Sequence, residues 1–233
     1  MERLTAEPAT SSVTRIKRDL KVRLDVDVIV QAGLEVAGRP GASSVTVREL
    51  GKMLGADPTA IYRHFRNKQG LMQALVDRVL VLCQEGVTAP REDWRTRLEQ
   101  FAASTLTVFA QYPAISVNAA SLSTDGPGEL GSVELILDAL HVAGLSGDDL
   151  TRYYAILSSS MLAHASGHAH WHSDSENPTL EDRDWIVQSS PISAERYPNF
   201  AANQEKLLKL KSASIYLDGV SLILDTIEAQ IAR

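Results

Sequence analysis

Apolar residues recur every three or four positions along almost the whole chain after Asp25, and this period limits the fold more than any other feature. In the first such segment Ile29, Val30, Gly33 and Ala37 fall on one face of a helix. No segment alternates apolar and polar residues strictly, as a half-buried β-strand would. The sequence therefore predicts an all-α fold.

Helix start and stop signals between residues 25 and 70 predict a three-helix module of the helix-turn-helix type. Thr46 and Glu49 have the spacing of a capping box that opens a helix, and Gly55 suits the left-handed residue that ends it. The dipeptide Asp57-Pro58 opens a very short third helix, because an N-cap acceptor precedes a proline at the first helical position. In such a motif the second helix enters the DNA major groove.

The start of that short helix supplies the candidates for reading bases. Thr59 offers a hydroxyl and a methyl, and Ala60 offers a methyl that can touch the methyl group of thymine. Arg48 lies early in the preceding helix, within reach of a phosphate or a guanine. Four more side chains are candidates for phosphate contacts: Tyr62, Arg63, His64 and Lys68.

The distribution of charge favours a DNA contact, although the total charge does not. The net charge of the 233 residues is −6, which taken alone argues against binding to nucleic acid. Between Val13 and Gly70, however, Lys and Arg outnumber Asp and Glu by 11 to 6, whereas from Leu71 to Arg233 the acids lead by 21 to 11. The basic segment within residues 1–24 predicts either a solvated tail or an arm that enters the minor groove.

Residues 25–71 carry motifs that resemble the N-terminal domain of the tetracycline-repressor (TetR) family. The motifs are Val45-Thr46-Val47-Arg48-Glu49-Leu50-Gly51 and Ile61-Tyr62-Arg63-His64-Phe65 followed by Lys68. Gly51 stands where the family usually has Ala, and Ala56-Asp57-Pro58 replaces its common Gly-Val-Ser. The resemblance implies that the DNA-facing residues named above and Pro58 lie at the operator, and we add Thr46 to this set.

Residues 71–233 form the predicted second domain, with a loop at 173–199 and one long final helix over Phe200–Ala232. The runs Gln111-Tyr112-Pro113 and Gly126-Pro127-Gly128 resemble the C-terminal domain of the tetracycline-repressor subgroup. The resemblance implies a homodimer joined by two long helices of each subunit. The apolar seam of the final helix fits such an interface or an internal position. The expected interface residues are Leu157, His164, His168, Leu210, Leu217, Val220, Leu224 and Ile227.

The middle helices of this domain are expected to hold a small-molecule effector. Their mixture of apolar residues with Ala, Ser and Thr is typical of a ligand cavity. The tetracycline repressor holds drug-bound magnesium with histidines, but Gln84 and Asn118 stand at the roughly corresponding positions. The sequence therefore predicts another organic ligand, mostly apolar or aromatic, and no cofactor. The candidate contacts are Gln84, Phe101, Phe109, Asn118, Tyr153, Ser158 and Met161.

Histidines and cysteine leave one alternative function open. His164, His168 and His172 recur every four residues, with His170 nearby, so they share one helical face. Such a face suits a transition metal, a pH switch or ordinary packing. A metal- or pH-responsive regulator is therefore the alternative. The single cysteine, Cys83, excludes a disulfide framework and a Cys-based zinc site.

The complete pattern predicts a cytoplasmic regulator of transcription and not an enzyme. We find no nucleophile elbow, no glycine-rich phosphate loop and no metal-protease histidine pair. No apolar run approaches the roughly 18 residues of a membrane span, and no signal-peptide pattern opens the chain. We expect a homodimeric repressor that binds palindromic operator DNA and is released by its ligand, with activation as the other possible sign of regulation.

Overall fold

The computed structural model describes residues 24–173 and 193–232, with the backbone alone for residues 170–173. These residues form helices and no β-strand, so the predicted all-α fold is confirmed. The helices are α1 (Val26–Ala37), α2 (Val47–Leu54), α3 (Pro58–Ile61), α4 (Lys68–Glu85), α5 (Trp94–Gln111), α6 (Pro113–Ser116), α7 (Pro127–Val142), α8 (Gly147–Ser173), α9 (Pro198–Leu207) and α10 (Ser212–Ile231). No described helix is long and apolar enough to span a membrane.

Side-chain caps determine where the helices of the N-terminal module begin and end. Thr46 and Glu49 bind each other's backbone N–H groups, which confirms the predicted capping box at the start of α2. Gly55 ends α2 in the left-handed region, at φ 62°. Asn67 Oδ1 accepts the N–H of Gly70 at 2.8 Å and caps α4. These local signals place the short α3 between two well-defined helices.

Helix α4 belongs both to the N-terminal module and to the C-terminal bundle. Its 18 residues extend about 27 Å along the helix axis. In its first half Leu75 packs on Gly33 of α1, where a Cβ atom would lie 2.3 Å from Leu75 Cδ2. In its second half Val79 and Cys83 are fully buried, and the helix also contacts α5, α6 and α7. A shift of α4 therefore acts on both parts of the molecule.

Helices α5, α7, α8 and α10 enclose the main C-terminal core. The Tyr216 hydroxyl donates to the carbonyl oxygen of Ala102 at 3.1 Å, so α10 meets α5 with its buried polar group satisfied. Arg91 and Arg97 both bind the carboxylate of Asp138 on α7, with N–O distances of 3.0 and 2.8 Å. The fully buried apolar residues of this core include Leu98, Phe109, Ala139, Leu140, Leu157, Leu224 and Ile227.

The prediction of one final helix over Phe200–Ala232 is wrong. The chain leaves the helix after Leu207 and resumes at Ser212, because Lys211 takes an extended backbone at φ −100° and ψ 137°. No residue of α9 is buried, whereas α10 is anchored in the core. The apolar period runs through the break, so periodicity alone could not reveal it. Leu210 consequently lies in the connection between the two helices.

Some predictions concern residues outside the described part of the chain. They are the basic segment up to residue 23 and residues 174–192 of the predicted loop. At the ends of that loop the structure shows helix, because α8 continues to Ser173 and α9 begins at Pro198.

Candidate nucleic-acid interface and internal cavity

The first turn of α3 is held by a compact set of hydrogen bonds. Asp57 Oδ1 accepts both the N–H of Thr59 at 2.7 Å and its hydroxyl at 2.6 Å. The backbone carbonyl of Asp57 accepts the N–H of Ala60 at 2.9 Å. The hydroxyl of Thr59 is the main cause that lowers the pKa of the Asp57 carboxyl, and Arg63 adds to the effect. Asp57 is therefore an exposed carboxylate with a fixed orientation.

Close packing of α2 against α3 fixes how this turn is presented. Leu50 and Ile61 are fully buried and anchor the two helices in the core. A Cβ atom on Gly51 would lie 2.8 Å from the carbonyl oxygen of Ala56, too close for any larger residue without a shift. The glycine that departs from the resembled family thus permits a close approach between the turn and α2.

The residues predicted to face DNA lie at the surface of this module. Arg48 of α2 is exposed, and Thr46 and Ala60 are half-buried. Six more are exposed on or next to α3: Pro58, Thr59, Tyr62, Arg63, His64 and Lys68. All of them surround the turn that Leu50 and Ile61 support from inside.

Charge within the module is concentrated around these residues. Residues 24–70 contain 6 Lys or Arg and 5 Asp or Glu, so most of the basic surplus predicted for the N-terminal third comes from residues before 24. The basic residues all lie at or after Arg39, whereas Asp25, Asp27 and Glu35 lie at or on α1. The α2–α3 surface is therefore locally positive, which suits contacts with phosphates.

A separate cavity of about 110 Å³ lies among α4, α5, α7 and α8. Its walls are mostly apolar, with hydroxyls that donate to carbonyls of their own helix, such as Thr105 to Phe101 at 2.7 Å and Ser132 to Gly128 at 2.8 Å. Ligand cavities commonly measure about 300–1,000 Å³, so this one must widen to admit a typical effector. The lining residues are Leu80, Phe101, Thr105, Ala119, Leu122, Glu129, Ser132, Val133, Ile136, Tyr154, Ser158, Met161 and Leu162.

Three of the predicted ligand residues, Phe101, Ser158 and Met161, line this cavity, and four do not. Phe109 and Tyr153 are buried elsewhere in the core. The cavity walls also include four polar residues that sequence reasoning missed: Thr105, Glu129, Ser132 and Tyr154. Tyr154 precedes Ser158 by one helical turn, so the two residues lie on the same face of α8, and this spacing could have identified Tyr154 as a wall residue.

The two side-chain amides predicted as ligand contacts instead donate hydrogen bonds to backbone carbonyl groups. The Gln84 amide donates to the carbonyl oxygens of Leu80 and Gly128, at 3.1 and 2.7 Å, and thereby joins α4 to α7. Asn118 donates to the carbonyl oxygen of Ile115 at 3.1 Å and lines a different, open cleft next to Lys68.

An acidic side chain of α4 binds the start of α7. Asp77 accepts the N–H groups of Gly128 at 3.0 Å and Glu129 at 3.1 Å, and the hydroxyl of Thr124 at 2.7 Å. A Cβ atom on Gly128 would lie 2.0 Å from the backbone oxygen of Asp77, so only glycine allows this approach. We call this set of contacts the Asp77 latch.

Glu129 connects the Asp77 latch to the cavity that it lines. Its carboxylate accepts the N–H of Asp125 at 2.9 Å and the hydroxyl of Ser123 at 3.0 Å, and it also binds the N–H of Thr124. Burial opposes ionisation of this group, but these donors outweigh burial and lower the pKa of Glu129. An ionised, fully hydrogen-bonded carboxylate thus forms part of the cavity wall.

Five residues predicted for a dimer interface lie inside the subunit instead. Leu157, Leu224 and Ile227 are fully buried, and His168 and Val220 are each 3% exposed. They pack where α8, α10 and α5 meet, so they have almost no surface left for a second chain. The apolar seam of α10 is therefore an internal contact. The other three predicted residues, His164, Leu210 and Leu217, are exposed.

The opposite faces of α8 and α10 expose large apolar side chains, and on α10 the exposed acids Asp218 and Asp225 lie one turn before and one turn after Leu222. Ile156 is 45% exposed and Leu222 is 66% exposed, both high for large apolar side chains. We call these faces the α8–α10 strip; its exposed members at helical spacing are Ile156, Ser159, Ala163, Leu222 and Ala229, and Ile215 is half-buried.

The histidines do not form a described metal site. His164 donates from Nδ1 to the carbonyl oxygen of Ser160 at 2.8 Å, and the Nδ1 of buried His168 lies 3.1 Å from Ser212 Oγ. The side chains of His170 and His172 lie outside the described residues. Within the described part, no three His, Cys, Asp or Glu side chains are arranged to hold a metal. Burial raises the pKa of the Cys83 thiol to about 12, which keeps it protonated and unreactive.

Two family models match this chain. Residues 29–75 match the model of the tetR family of bacterial regulatory proteins. Residues 88–231 match the model of the tetracyclin repressor-like C-terminal domain, which covers more than half of the chain.

Individual proteins give the same result. The HTH-type transcriptional repressor DrrR1 of Streptomyces coeruleorubidus is 23% identical over 224 residues, which are 94% of this chain and 83% of that protein. Tetracycline repressor protein class G of Vibrio anguillarum is 34% identical over 91 residues, 39% of this chain and 43% of that protein.

Solved structures share the fold over nearly the full length. A putative transcriptional regulator from Streptomyces coelicolor A3(2) has a TM-score of 0.73 and 25% identity, and the match covers 89% of this chain and 98% of that one. The TetR family protein ActR from Streptomyces coelicolor, in complex with actinorhodin, has a TM-score of 0.70 and 19% identity, with coverage of 90% and 97%.

Proposed function

Because this chain belongs to the TetR family of bacterial transcriptional regulators, we propose that it is a repressor that binds a palindromic operator as a homodimer and is released by a small organic ligand in its C-terminal cavity. The observation that carries the proposal is helix α4, which is packed into the DNA-reading module at one end and carries the Asp77 latch beside the cavity. One rigid element thus links the two sites that a ligand-responsive repressor needs.

The α2–α3 surface supports the operator half of the proposal. A four-residue helix reaches few base pairs, so one subunit alone discriminates weakly. Two copies placed about 34–36 Å apart meet successive major grooves of a palindrome. Exposed cationic side chains at Arg48, Arg63 and Lys68 supply phosphate contacts that fix the register of each copy.

The α8–α10 strip supports the homodimer. Exposed apolar faces of this kind on packed helices mark interaction surfaces in soluble proteins. The acidic residues Asp225 and Glu228 at the edge of α10 pair with Arg95 of their own subunit, so these two acids are already paired within one chain. A second copy of the same strip would bury Leu222 and Ile156 in an isologous, four-helix contact.

The cavity supports a ligand that is largely apolar and carries no negative charge. Its only ionisable side chains among the described lining residues are Glu129 and the phenol of Tyr154. A ligand carboxylate or phosphate would face the ionised Glu129 with no cation to balance it, which is unfavourable. The structurally similar ActR has been solved in complex with actinorhodin, and the mostly apolar walls of the cavity suit an apolar or aromatic organic ligand.

Binding of such a ligand would act through the wall that contains Glu129. The cavity has a volume of about 110 Å³, so a larger ligand would have to widen it, and displacement of α7 or of the segment 123–125 bound to Glu129 would change the contacts of Asp77. The hydroxyl of Thr124 and the N–H of Gly128 bind the carboxylate of Asp77, and Asp77 is part of α4. A ligand shifts the operator-binding equilibrium only if it binds the displaced arrangement more tightly.

The test is operator binding by the full-length protein, measured as fluorescence anisotropy of a labelled duplex taken from the DNA next to its own gene. We expect that an excess of unlabelled random DNA does not displace the labelled duplex, and that an excess of the unlabelled specific duplex does. Compounds that raise the melting temperature of the protein are then added to the complex; a hundredfold excess over the dissociation constant stabilises by about 2.7 kcal/mol. Release of the duplex by such a compound is the expected result. Binding without sequence preference would contradict the proposal.

A further inference from the structure

In the exposed turn at the start of α3, residues 57–60, every hydrogen-bond donor from Thr59 onward is engaged within the turn, and the backbone N–H of Asp57 is the remaining donor. Pro58 has no N–H group. The N–H and the hydroxyl of Thr59 both donate to Asp57 Oδ1, at 2.7 and 2.6 Å. The N–H of Ala60 donates to the backbone oxygen of Asp57 at 2.9 Å. We call residues 57–60 the recognition tip.

The groups of the recognition tip that remain available to a base are hydrogen-bond acceptors and apolar groups. Among the described residues no donor binds the second carboxylate oxygen of Asp57, Oδ2, and the residue is exposed. The hydroxyl oxygen of Thr59 keeps its lone pairs, and Thr59 and Ala60 carry methyl groups. The side chains of the tip can accept hydrogen bonds from a base and touch a thymine methyl, but their one donor, the Thr59 hydroxyl, is already bound to Asp57.

Base edges in the major groove differ in how they suit such a tip. Guanine presents two acceptors, N7 and O6, whereas cytosine presents only a donor, the N4 amino group. A carboxylate opposite guanine would place acceptor against acceptor, and a carboxylate opposite cytosine would receive a hydrogen bond. Aspartate is accordingly a residue that reads cytosine.

We propose that Asp57 determines operator specificity: its free oxygen Oδ2 accepts a hydrogen bond from the N4 amino group of a cytosine at one position in each operator half-site, and it excludes guanine there. Reading of guanine elsewhere in the half-site falls to donors outside the tip, such as Arg48. This inference rests on the proposed function, because it assumes that α3 enters the major groove.

The main variant is Asp57→Asn, which keeps an N-cap acceptor of equal quality and should fold normally. Asparagine prefers adenine, because its amide matches the N6 and N7 atoms of that base. The matched control is Asp25→Asn. Asp25 is also exposed and caps α1 through Oδ1 and the N–H of Val28 at 2.9 Å, so this control removes the same charge away from the tip.

The experiment selects binding sites for each full-length protein from a randomised duplex library at one salt concentration, and then measures Kd for single-base variants. For the wild type we expect cytosine at one position of each half-site, with other bases there raising Kd roughly 5- to 150-fold. Asp57→Asn should replace that cytosine by adenine and leave the other positions unchanged. Asp25→Asn should select the wild-type site.

The inference is overturned if Asp57→Asn selects the same base as the wild type at every position, or if the wild type selects guanine at the position that changes. If Asp57→Asn folds but binds no duplex, the site selection is repeated with Asp57→Ser, since serine also caps helices well. A retained preference for cytosine would reject the inference, and a lost preference would support it. A wild type that selects no sequence at all would instead refute the proposed function.

Discussion

Gly128 allows α7 to begin against α4, and this dependence is testable at the level of a single residue. A Cβ atom on Gly128 would meet the backbone oxygen of Asp77 at 2.0 Å, and backbone cannot move aside as a flexible side chain can. We predict that Gly128→Ala lowers the free energy of unfolding by about 1–3 kcal/mol.

Urea denaturation with a matched glycine measures this effect. Gly70 lies in the first turn of α4, and a Cβ atom added there would have only Asn67 Oδ1 nearby, at 3.7 Å. Gly70→Ala should therefore be neutral or stabilise the protein by up to about 1 kcal/mol. Equal stability of the two variants would show that the contact of Gly128 with Asp77 does not limit α7.

Individual site residues were predictable from the sequence only where a local signal fixes them. Thr46 and Asp57 act through neighbours two or three positions away, so their roles follow from spacing. Gln84 and Asn118 are polar residues on the expected helices, but their amides bind carbonyl groups of α7 and of α6. The direction of a long side chain depends on which helix packs next to it, and spacing along one helix does not contain that information.

At the level of helices, Asp138 couples α5 to α7 in a pH-dependent way. Hydrogen bonds from Arg91 and Arg97 lower the pKa of the Asp138 carboxyl from its usual value of 3.8. The folded state thus binds this proton less readily than the unfolded state. The stabilisation is complete above the usual pKa and is lost as the pH falls through the lower folded-state value.

We therefore predict that Asp138→Asn is less stable than the wild type at pH 7 and that the difference shrinks below pH of about 4. Urea denaturation at pH 7 and pH 3 tests this. Asp149→Asn is the control, because Asp149 pairs with Arg152 in an exposed i,i+3 contact of little value. A difference between Asp138→Asn and wild type that is the same at both pH values would reject the assigned cause.

The Asp77 latch gives the second prediction about helices. Asp77→Ala removes the acceptor for Gly128, Glu129 and Thr124 but leaves the recognition tip untouched. We expect operator affinity within a few-fold of wild type and a loss of ligand-induced release, measured by anisotropy on the same duplex. Thermal shift must still report ligand binding by this variant. Release that matches the wild type would separate the latch from signalling.

Helix boundaries were predictable where caps mark them, and not where packing decides. The starts of α2 and of α4 follow from Thr46 and Asn67. The break between α9 and α10 has no such mark, since α10 begins after Lys211 without a side-chain cap. The choice of face on α10 was likewise ambiguous, because Val220 and Leu222 both belong to apolar stripes and only the position of α5 determines which stripe is covered.

For the whole molecule, assembly is the testable property. Leu222 is 66% exposed on α10 and Leu130 is 61% exposed on α7, so the two leucines are matched in exposure. We predict that Leu222→Glu shifts the protein from dimer to monomer and weakens operator binding, whereas Leu130→Glu does neither. Light scattering after size exclusion gives the mass of each variant. A dimeric Leu222→Glu protein would place the interface elsewhere.

If the proposed ligand release holds, the small volume of the cavity affects the ligand concentration at which the repressor leaves its operator. A ligand that needs the widened form binds in proportion to how often the free protein adopts that form, so an open fraction of about one in a hundred weakens the apparent affinity about a hundredfold. The packing of Met161, Phe101 and Ile136 around the cavity would thereby set the ligand concentration that half-saturates the protein. On this proposal, tighter packing of the cavity walls means that more effector is needed before transcription begins, so the density of a hydrophobic core determines the sensitivity of gene regulation.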